Sequence, residues 1–336
     1  MSSLLLPVAP ASVLNGQGQP HFGKFAGSVA QIDWSGLAPP YRRSRFWQHF
    51  HHKHWQYVAL ATDELFCGIA IVDVGWTNTA FAYAFDRRQG ELVASFSQDG
   101  IPGISAKLNA HPALGAASDF RMLANHIRYR QVPDSQRYEL KVQCGDFRID
   151  ARFDGQVAAP CLLAVGPIAG GSVHATVKSS GMPLSGRVTL AGRELDLQGG
   201  IASFDHSNGF LARETAWRWA SAHSLDLGFN LQSGYFGAHE NALWLDGRLI
   251  SLGPAHFDFD PAQVLAPWHI YTDDGLLDLQ FQPEGCRSEN KNLLVAVSRY
   301  VQPIGTFSGW VKASAEAAPR RVERLVGVTE DHFSRW

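Results

Sequence analysis

The chain has 336 residues, and its 29 Lys and Arg residues against 31 Asp and Glu residues give a formal net charge of −2. This near-neutral balance excludes the basic field typical of nucleic-acid-binding proteins. The charged fraction of 18% excludes the charge-rich disordered class. Because the length exceeds what one hydrophobic core usually supports, two domains or one large β architecture are expected. Ten tryptophans suggest aromatic-lined cavities or thick sheet cores.

Targeting and cysteine signals are weak. No window approaches the roughly 18 uninterrupted apolar residues of a membrane span. The apolar run at 1–10 has no Lys or Arg before it, unlike a secretory signal, so a cytoplasmic location is expected. The cysteines have no metal-like spacing, and we expect free thiols and no metal or other cofactor. They are Cys67, Cys144, Cys161 and Cys286.

The first predicted element is a helix over 41–54, which follows Pro39-Pro40 and places Phe46, Trp47 and Phe50 on one side. After it, the chain is rich in β-branched and aromatic residues with frequent Gly and Pro between short runs, which predicts strands joined by turns. The earlier strand-like segments are 55–62, 65–74, 79–85, 92–97 and 119–130.

Alternation of apolar and polar residues predicts two hairpins in the middle of the chain. The runs 138–142 and 147–153 flank the turn Gly145-Asp146, and a second hairpin is expected over 188–197. Further strands are expected at 216–222, 242–245, 277–281 and 293–301, and a short helical turn within 322–336. The pattern predicts an all-β protein.

A Gly-rich stretch over 166–171 and a composition change at 179–183 mark the expected domain junction. We therefore expect two β-domains, over 1–170 and 171–336, each within the usual domain size.

The cluster His49, His51, His52 and His54 is a candidate metal site. Neither a strand nor a helix gathers three of these side chains without help from elsewhere in the chain. With Arg42, Arg43 and Arg45 adjacent, the pattern favours a basic, solvated amphipathic segment, and attraction to an anionic partner or membrane surface is the alternative.

Asp205 is the stronger candidate. It follows a strand-like run, and Trp217 and Trp219 lie two residues apart on a predicted strand, so both face one side. A carboxyl group in apolar surroundings has a raised pKa and can donate a proton, and indole faces can stabilise a developing cation. Alternatively, Asp205 caps a turn or pairs with Arg213, and the tryptophans fill a sheet core. Asn230 and Glu240 either line a pocket or lie in hairpin turns, and turns are favoured.

A family resemblance rests on the stretch from Gly200 to Ala220, on Trp55-Gln56-Tyr57, on Glu240-Asn241-Ala242-Leu243-Trp244 and on the chain end from Gly327. In these segments the chain resembles a bacterial family, the domain of unknown function 2804. Within it, Asp205-His206, Gly209 and Trp217-x-Trp219 resemble a motif of a wider calycin-like group. That group includes carotenoid 1,2-hydratases, kievitone hydratase, AttH-type proteins, tocopherol cyclases and certain fungal Diels–Alderases. The resemblance implies two tandem lipocalin-like β-barrels with a pocket for a hydrophobic substrate.

The resemblance also implies roles for residues. Asp205 takes the position of the aspartate that protonates an alkene in the hydratases. His206 or Arg213 is expected to orient it, and Trp217 and Trp219 to form the pocket wall. This sequence has Ser203 where the hydratases have Tyr, and Thr176 in place of the Trp of their His-x-Trp element, for which His174 has the right separation.

Two functions follow as hypotheses. The first is an enzyme that hydrates, isomerises or cyclises an isoprenoid- or polyketide-like molecule, with Asp205 and His206 as catalytic residues. Its substrate-binding candidates are Trp217, Trp219, Arg213, Asn230 and Glu240. The second is a carrier of a lipid or pigment, or a stress-related binding protein, that performs no chemistry. A hydrophobic small molecule is the expected partner in both, with no nucleic acid and no membrane span.

Overall fold

The computed structural model describes residues 6–292 and 296–336. The apolar run at 1–10 therefore lies partly outside the described residues, as does the start of the strand expected at 293–301. One α-helix, α1 (Arg45–His51), and one 3-10 turn, Gly155–Val157, accompany the strands of the described part.

The strands before residue 212 are β1 (Gly23–Ala26), β2 (His52–Ala61), β3 (Leu65–Asp73), β4 (Asn78–Asp86), β5 (Glu91–Gly100), β6 (Ala106–Leu108), β7 (Ala117–Met122), β8 (Asn125–Gln131), β9 (Arg137–Cys144), β10 (Phe147–Asp154), β11 (Leu162–Pro167), β12 (Val173–Lys178), β13 (Met182–Leu190), β14 (Arg193–Asp196) and β15 (Ile201–Phe210). Those after it are β16 (Glu214–His223), β17 (Leu227–Gly234), β18 (Ala242–Leu245), β19 (Arg248–Ser251), β20 (Ala255–Asp258), β21 (Trp268–Thr272), β22 (Leu277–Asn292), β23 (Val297–Val311) and β24 (Arg320–Arg335).

These strands form two curved antiparallel sheets. The first has the order β5-β4-β3-β2-β15-β13-β10-β9-β8-β7-β6, with β12, β11 and β1 branching from β15 and β14 pairing with β13, and it closes into a nearly complete barrel. The second has the order β19-β18-β17-β16-β24-β23-β22-β21-β20 and forms a half-barrel. The all-β fold with two curved sheets is confirmed, as are the hairpins β9–β10 and β13–β14.

The chain passes from the first sheet to the second at 211–213, between β15 and β16. The domain boundary expected at 170/171 lies within the first sheet, because the Gly-rich stretch forms the turn between β11 and β12, where Gly170 has a φ of 70°. A positive φ is a conformation that glycine adopts without steric cost. Composition alone does not distinguish such a turn from a linker.

Both predicted helical segments differ from the structure. The helix expected over 41–54 is limited to α1, whose N-terminus is capped by the Ser44 hydroxyl, and residues from His52 onward pair with β15 and β3. The chain end within 322–336 is not helical but belongs to β24, which pairs with β16 and β23. The segment 119–130 is a hairpin, β7–β8, that turns at Leu123.

The alternation along β2 shows where each sheet packs. Val58 and Leu60 point into the barrel and belong to its apolar core, whereas Tyr57 and Ala59 point outward and pack against the second sheet. The half-barrel has a core of its own, with Trp268 at its centre. Both cores are packed with apolar side chains, and the open space lies between the sheets.

Candidate functional site

A cavity of about 390 Å³ lies between the outward face of the first sheet and the facing side of the second. Its volume is within the range of small-molecule sites. Strands of both sheets contribute to its walls, and most of the wall is apolar or aromatic. The aromatic side chains of this wall include Trp55, Tyr57, Phe81, Trp217, Trp219 and Tyr235.

Strand register explains how the first sheet builds one wall. Residues that are paired across neighbouring strands project to the same face, so one row of pairs forms one continuous surface. At about 4.8 Å between strands, six strands give a wall of about 24 Å. The row runs Lys178, Asp205, Tyr57, Ala70, Phe81 and Ser97.

A buried charged cluster lies at one end of this row. The Lys178 ammonium is ion-paired with the Asp205 carboxyl, and it lies 3.3 Å from Glu240 Oε2. The Thr176 hydroxyl donates to Asp205 Oδ1 at 3.1 Å, and Ser207 Oγ lies 3.1 Å from the same oxygen. We call Lys178, Asp205 and Glu240 the acid cluster. All three line the cavity.

The acid cluster contains one cation and two carboxyl groups. Burial raises the pKa of Glu240, although Lys178 acts in the opposite direction. Burial alone would lower the pKa of Lys178, but Asp205 and Glu240 outweigh it and raise that pKa. The charged form of Lys178 is therefore favoured, and burial favours the protonated form of Glu240. A proton on Glu240 would make the cluster of one lysine and two carboxyl groups neutral.

His206 lies on the opposite face of β15 from Asp205. Its ring nitrogens contact Gln56 Oε1 and His54 Nε2, each at 3.1 Å, inside the barrel. Burial lowers the pKa of His206 to about 4, so the imidazole is neutral. The structure does not bring His206 to the cavity or into a hydrogen bond with Asp205. The reason is the strand alternation itself, since β15 continues through both residues.

Arg213 is also outside the site. It is exposed in the connection between the two sheets and is not part of the cavity wall. The position expected for an orienting residue of Asp205 is instead occupied by Lys178.

The two tryptophans do line the cavity, and each indole is held by a partner. Trp217 Nε1 donates to Glu330 Oε1 at 2.9 Å, and Trp219 Nε1 donates to Asn230 Oδ1 at 2.8 Å. Asn230 lies behind the wall, where its amide also donates to the Glu240 carbonyl at 3.0 Å. It therefore supports Trp219 and Glu240 without being part of the wall.

Several charged residues of the cavity wall were not identified from the sequence, among them Lys178 and Glu330. Lys178 follows the His174-x-Thr176 element on β12, but only the pairing of β12 with β15 places it beside Asp205. Glu330 lies on β24, in the segment read as helical. It accepts hydrogen bonds from Trp217 and, at 2.8 Å, from Gln302 Nε2. Identifying them would have required knowing which distant strands pair and which side chains of each strand then face the cavity.

Gly209 of the motif is required by close packing of β15 on β12. A Cβ atom at this position would lie 2.5 Å from the Val173 carbonyl oxygen and 2.7 Å from His174 Nδ1. His174 is buried in a T-shaped contact with Phe236, and burial lowers its pKa to about 3. The glycine therefore has a structural reason to follow the Asp-His pair.

The histidine cluster does not gather into a metal site. His51 Nδ1 contacts the Leu211 carbonyl at 2.6 Å, His52 contacts Asn208 Oδ1 at 2.9 Å, and His54 contacts His206. Within 6–292 and 296–336, no three His, Cys, Asp or Glu side chains are close enough to hold a metal ion. The segment is not uniformly solvated, because Lys53 and His54 are buried in β2.

The fold of two curved antiparallel sheets is shared by solved structures. One is an AttH-type protein of Nitrosomonas europaea, with 15% identity, a TM-score of 0.53, and coverage of 89% of this chain and 98% of that one. Another is kievitone hydratase of Nectria haematococca, with 10% identity, a TM-score of 0.56, and coverage of 94% and 98%. At these identities the similarity shows the fold alone.

The chain belongs to the domain of unknown function family DUF2804, whose sequence profile matches residues 7–336. A search of curated protein sequences gave no match. No helix in the described part of the chain is long and apolar enough to cross a membrane.

Proposed function

We propose that this protein is an enzyme that protonates a hydrophobic, isoprenoid- or polyketide-like small molecule and so hydrates, isomerises or cyclises it. The observation that carries the proposal is the acid cluster in the wall of an aromatic cavity. The similarity in fold to a protein named as a hydratase supports the same reaction class.

Asp205 presents the proton to the ligand. Its side chain is 12% exposed against 4% for Glu240, so it is the more accessible carboxyl group of the two. Lys178 contacts both carboxyl groups. Lys178 passes a proton to the Asp205 carboxylate and takes one from the Glu240 carboxyl group. The Asp205 carboxyl group then gives its proton to an alkene carbon, which forms the new C–H bond and leaves a carbocation beside two carboxylates. The proton comes from the cluster, so this reaction uses no cofactor.

The resulting carbocation has three fates. Water that adds to it and returns a proton to Asp205 gives hydration. Loss of a neighbouring proton to the Asp205 carboxylate gives isomerisation. Attack by a second double bond of the same molecule, followed by proton loss to the same carboxylate, gives cyclisation. In every case Lys178 then returns the proton to Glu240. The faces of Trp217 and Trp219 would stabilise the cation in each case. Burial, with the nearby Glu330, raises the pKa of Tyr57, which keeps its phenol protonated beside the reacting centre.

Deuterium transfer tests this proposal. Mass spectrometry of the purified protein identifies any apolar compound that co-purifies, and this compound is incubated with the protein in deuterated water. The wild type should place deuterium on a ligand carbon, and Asp205→Asn should reduce the rate by at least about a hundredfold, as for loss of a general acid. Asp99→Asn, which changes an exposed carboxyl group at the cavity rim, is the matched control. Transfer that persists in Asp205→Asn would rule out the mechanism.

A carrier is the second candidate, favoured by the ion pair that Asp205 forms with Lys178. In a carrier, the ion pair would bind a polar group of the ligand and transfer no proton. The same experiment separates the two functions, because a carrier leaves its ligand free of carbon-bound deuterium in the wild type also.

A further inference from the structure

The segment 42–50 presents a surface that the proposed reaction does not use. Arg42, Arg43 and Arg45 are exposed, as are Phe46 and Phe50, with 77% and 44% of their surfaces accessible. We call these five residues the basic-aromatic surface. Phe46 and Phe50 lie one helical turn apart on α1, their ring centroids are 5.1 Å apart, and no residue of α1 is buried. Large apolar side chains this exposed suggest a binding partner.

The charge of this surface is uncompensated. No acidic residue occurs between Asp33 and Asp63 in the sequence. None of the three arginines forms an ion pair with a residue in 6–292 or 296–336, and Arg43 instead donates to the Pro40 carbonyl. The surface therefore combines positive charge with exposed aromatic rings.

The basic-aromatic surface adjoins the solvent side of the cavity. The Lys53 ammonium donates to the Phe50 carbonyl at 2.7 Å and to the Val74 carbonyl at 3.0 Å, which ties the end of α1 to the end of β3. Val74 lines the cavity, as do the half-exposed Trp76 and Trp336. These half-exposed tryptophans mark the solvent side, since the acid cluster is buried.

We propose that the basic-aromatic surface docks on the headgroup region of an anionic lipid bilayer and so brings the cavity entrance to the membrane. Arginines bind lipid phosphates, and the phenylalanines enter the boundary of the acyl chains. Charge complementarity identifies an anionic surface as the partner. The protruding phenylalanines favour a bilayer over a rigid acidic protein, because they need an apolar phase to enter. The proposal holds for an enzyme and for a carrier.

Vesicle sedimentation of the full chain tests this docking. The probes are vesicles of phosphatidylcholine alone and vesicles of equal parts phosphatidylcholine and phosphatidylglycerol. The wild type should bind the mixed vesicles, and added salt should weaken this binding. Changing Arg42, Arg43 and Arg45 together to Gln should lower the affinity about a hundredfold. The pair Phe46→Ser and Phe50→Ser should lower it by at least about tenfold.

Matched controls separate docking from general stickiness. Leu114→Ser with Leu123→Ser changes two other exposed apolar residues. The control for charge changes three exposed arginines elsewhere to Gln, namely Arg121, Arg148 and Arg193. Both controls should bind like the wild type, and thermal unfolding should show that every variant is folded.

Four results would overturn the proposal. They are no binding of the wild type to mixed vesicles, equal binding to both vesicle types, unchanged binding of the α1 variants, and equal losses in the controls. Binding to duplex DNA without binding to vesicles would assign the surface to a nucleic acid instead. None of these results depends on whether the cavity carries out a reaction.

Discussion

The two faces of β15 bury polar side chains in different ways: the inner face holds a neutral histidine, and the outer face holds a charged cluster. On the inner face, His206 is neutral and its ring contacts Gln56 and His54 inside the packed barrel. On the outer face, Asp205 takes part in a charged cluster that borders a cavity. Two adjacent residues of one motif thus have separate tasks. The inner one contributes to the barrel, and the outer one is available for chemistry.

The variant with the largest expected effect is Lys178→Met, on the outer face of β15. It leaves two buried carboxyl groups without their cation, and we expect a loss of about 3 to 5 kcal/mol in the free energy of unfolding at neutral pH. The loss should shrink as the pH falls, because protonation removes the unpaired charge. Urea denaturation at several pH values measures both effects.

The matched variant adds Asp205→Asn and Glu240→Gln to Lys178→Met, which removes all three ionisable groups. It should recover most of the lost stability. If Lys178→Met alone unfolds at the wild-type urea concentration, the acid cluster is not an electrostatic unit.

The second-largest expected effect comes from Gly209, where β15 pairs closely with β12. Gly209→Ala brings a Cβ within 2.5 Å of the Val173 carbonyl oxygen, and we expect a loss of about 3 kcal/mol because backbone atoms must move. Gly16→Ala is the control, since no atom lies within 4 Å of the added Cβ. Thermal unfolding compares the two. Equal melting temperatures for both variants would show that β15 and β12 pack less closely than described.

The inner face gives a pH-dependent prediction. The pKa of His206 is about 4 in the folded protein, below the ordinary 6.5, so the unfolded chain binds the proton first as the pH falls. The stabilising contribution is complete above about pH 6.5 and is lost as the pH falls toward 4. Between pH 7 and 5, His206→Gln should remove about 2 kcal/mol of the wild-type loss in unfolding free energy.

Denaturation curves at the two pH values provide this measurement. Asp205→Asn serves for comparison on the outer face, and it should leave the contribution of His206 in place. A His206→Gln protein with the full wild-type pH dependence would mean that this imidazole is not buried in its neutral form.

Features that depend on neighbouring residues could be predicted from the sequence. Alternation and the Gly145-Asp146 turn predict the β9–β10 hairpin, and the spacing of Trp217 and Trp219 predicts a shared face, which the structure shows. The helical interpretation of 322–336 fails because β24 is stabilised by pairing with β16 and β23, which no local pattern records.

The acid cluster could be predicted only in part. Asp205 is identified by its motif, but its partner Lys178 depends on the pairing of β12 with β15, and Glu240 comes from the connection after β17. Such contacts between distant segments are set by sheet register and not by propensity. The motif resemblance assigns His206 a role beside Asp205, whereas a strand that continues through both sends their side chains to opposite faces.

Infrared spectroscopy of isotope-labelled protein tests most directly whether the cavity wall holds a transferable proton. At neutral pH the account predicts a carboxylic acid C=O band that shifts when glutamate, but not aspartate, carries the label. The band should disappear in Glu240→Gln and persist in Glu330→Gln, which changes another buried carboxyl group of the cavity. Absence of the band, or a shift with labelled aspartate alone, would contradict the assignment of the proton to Glu240.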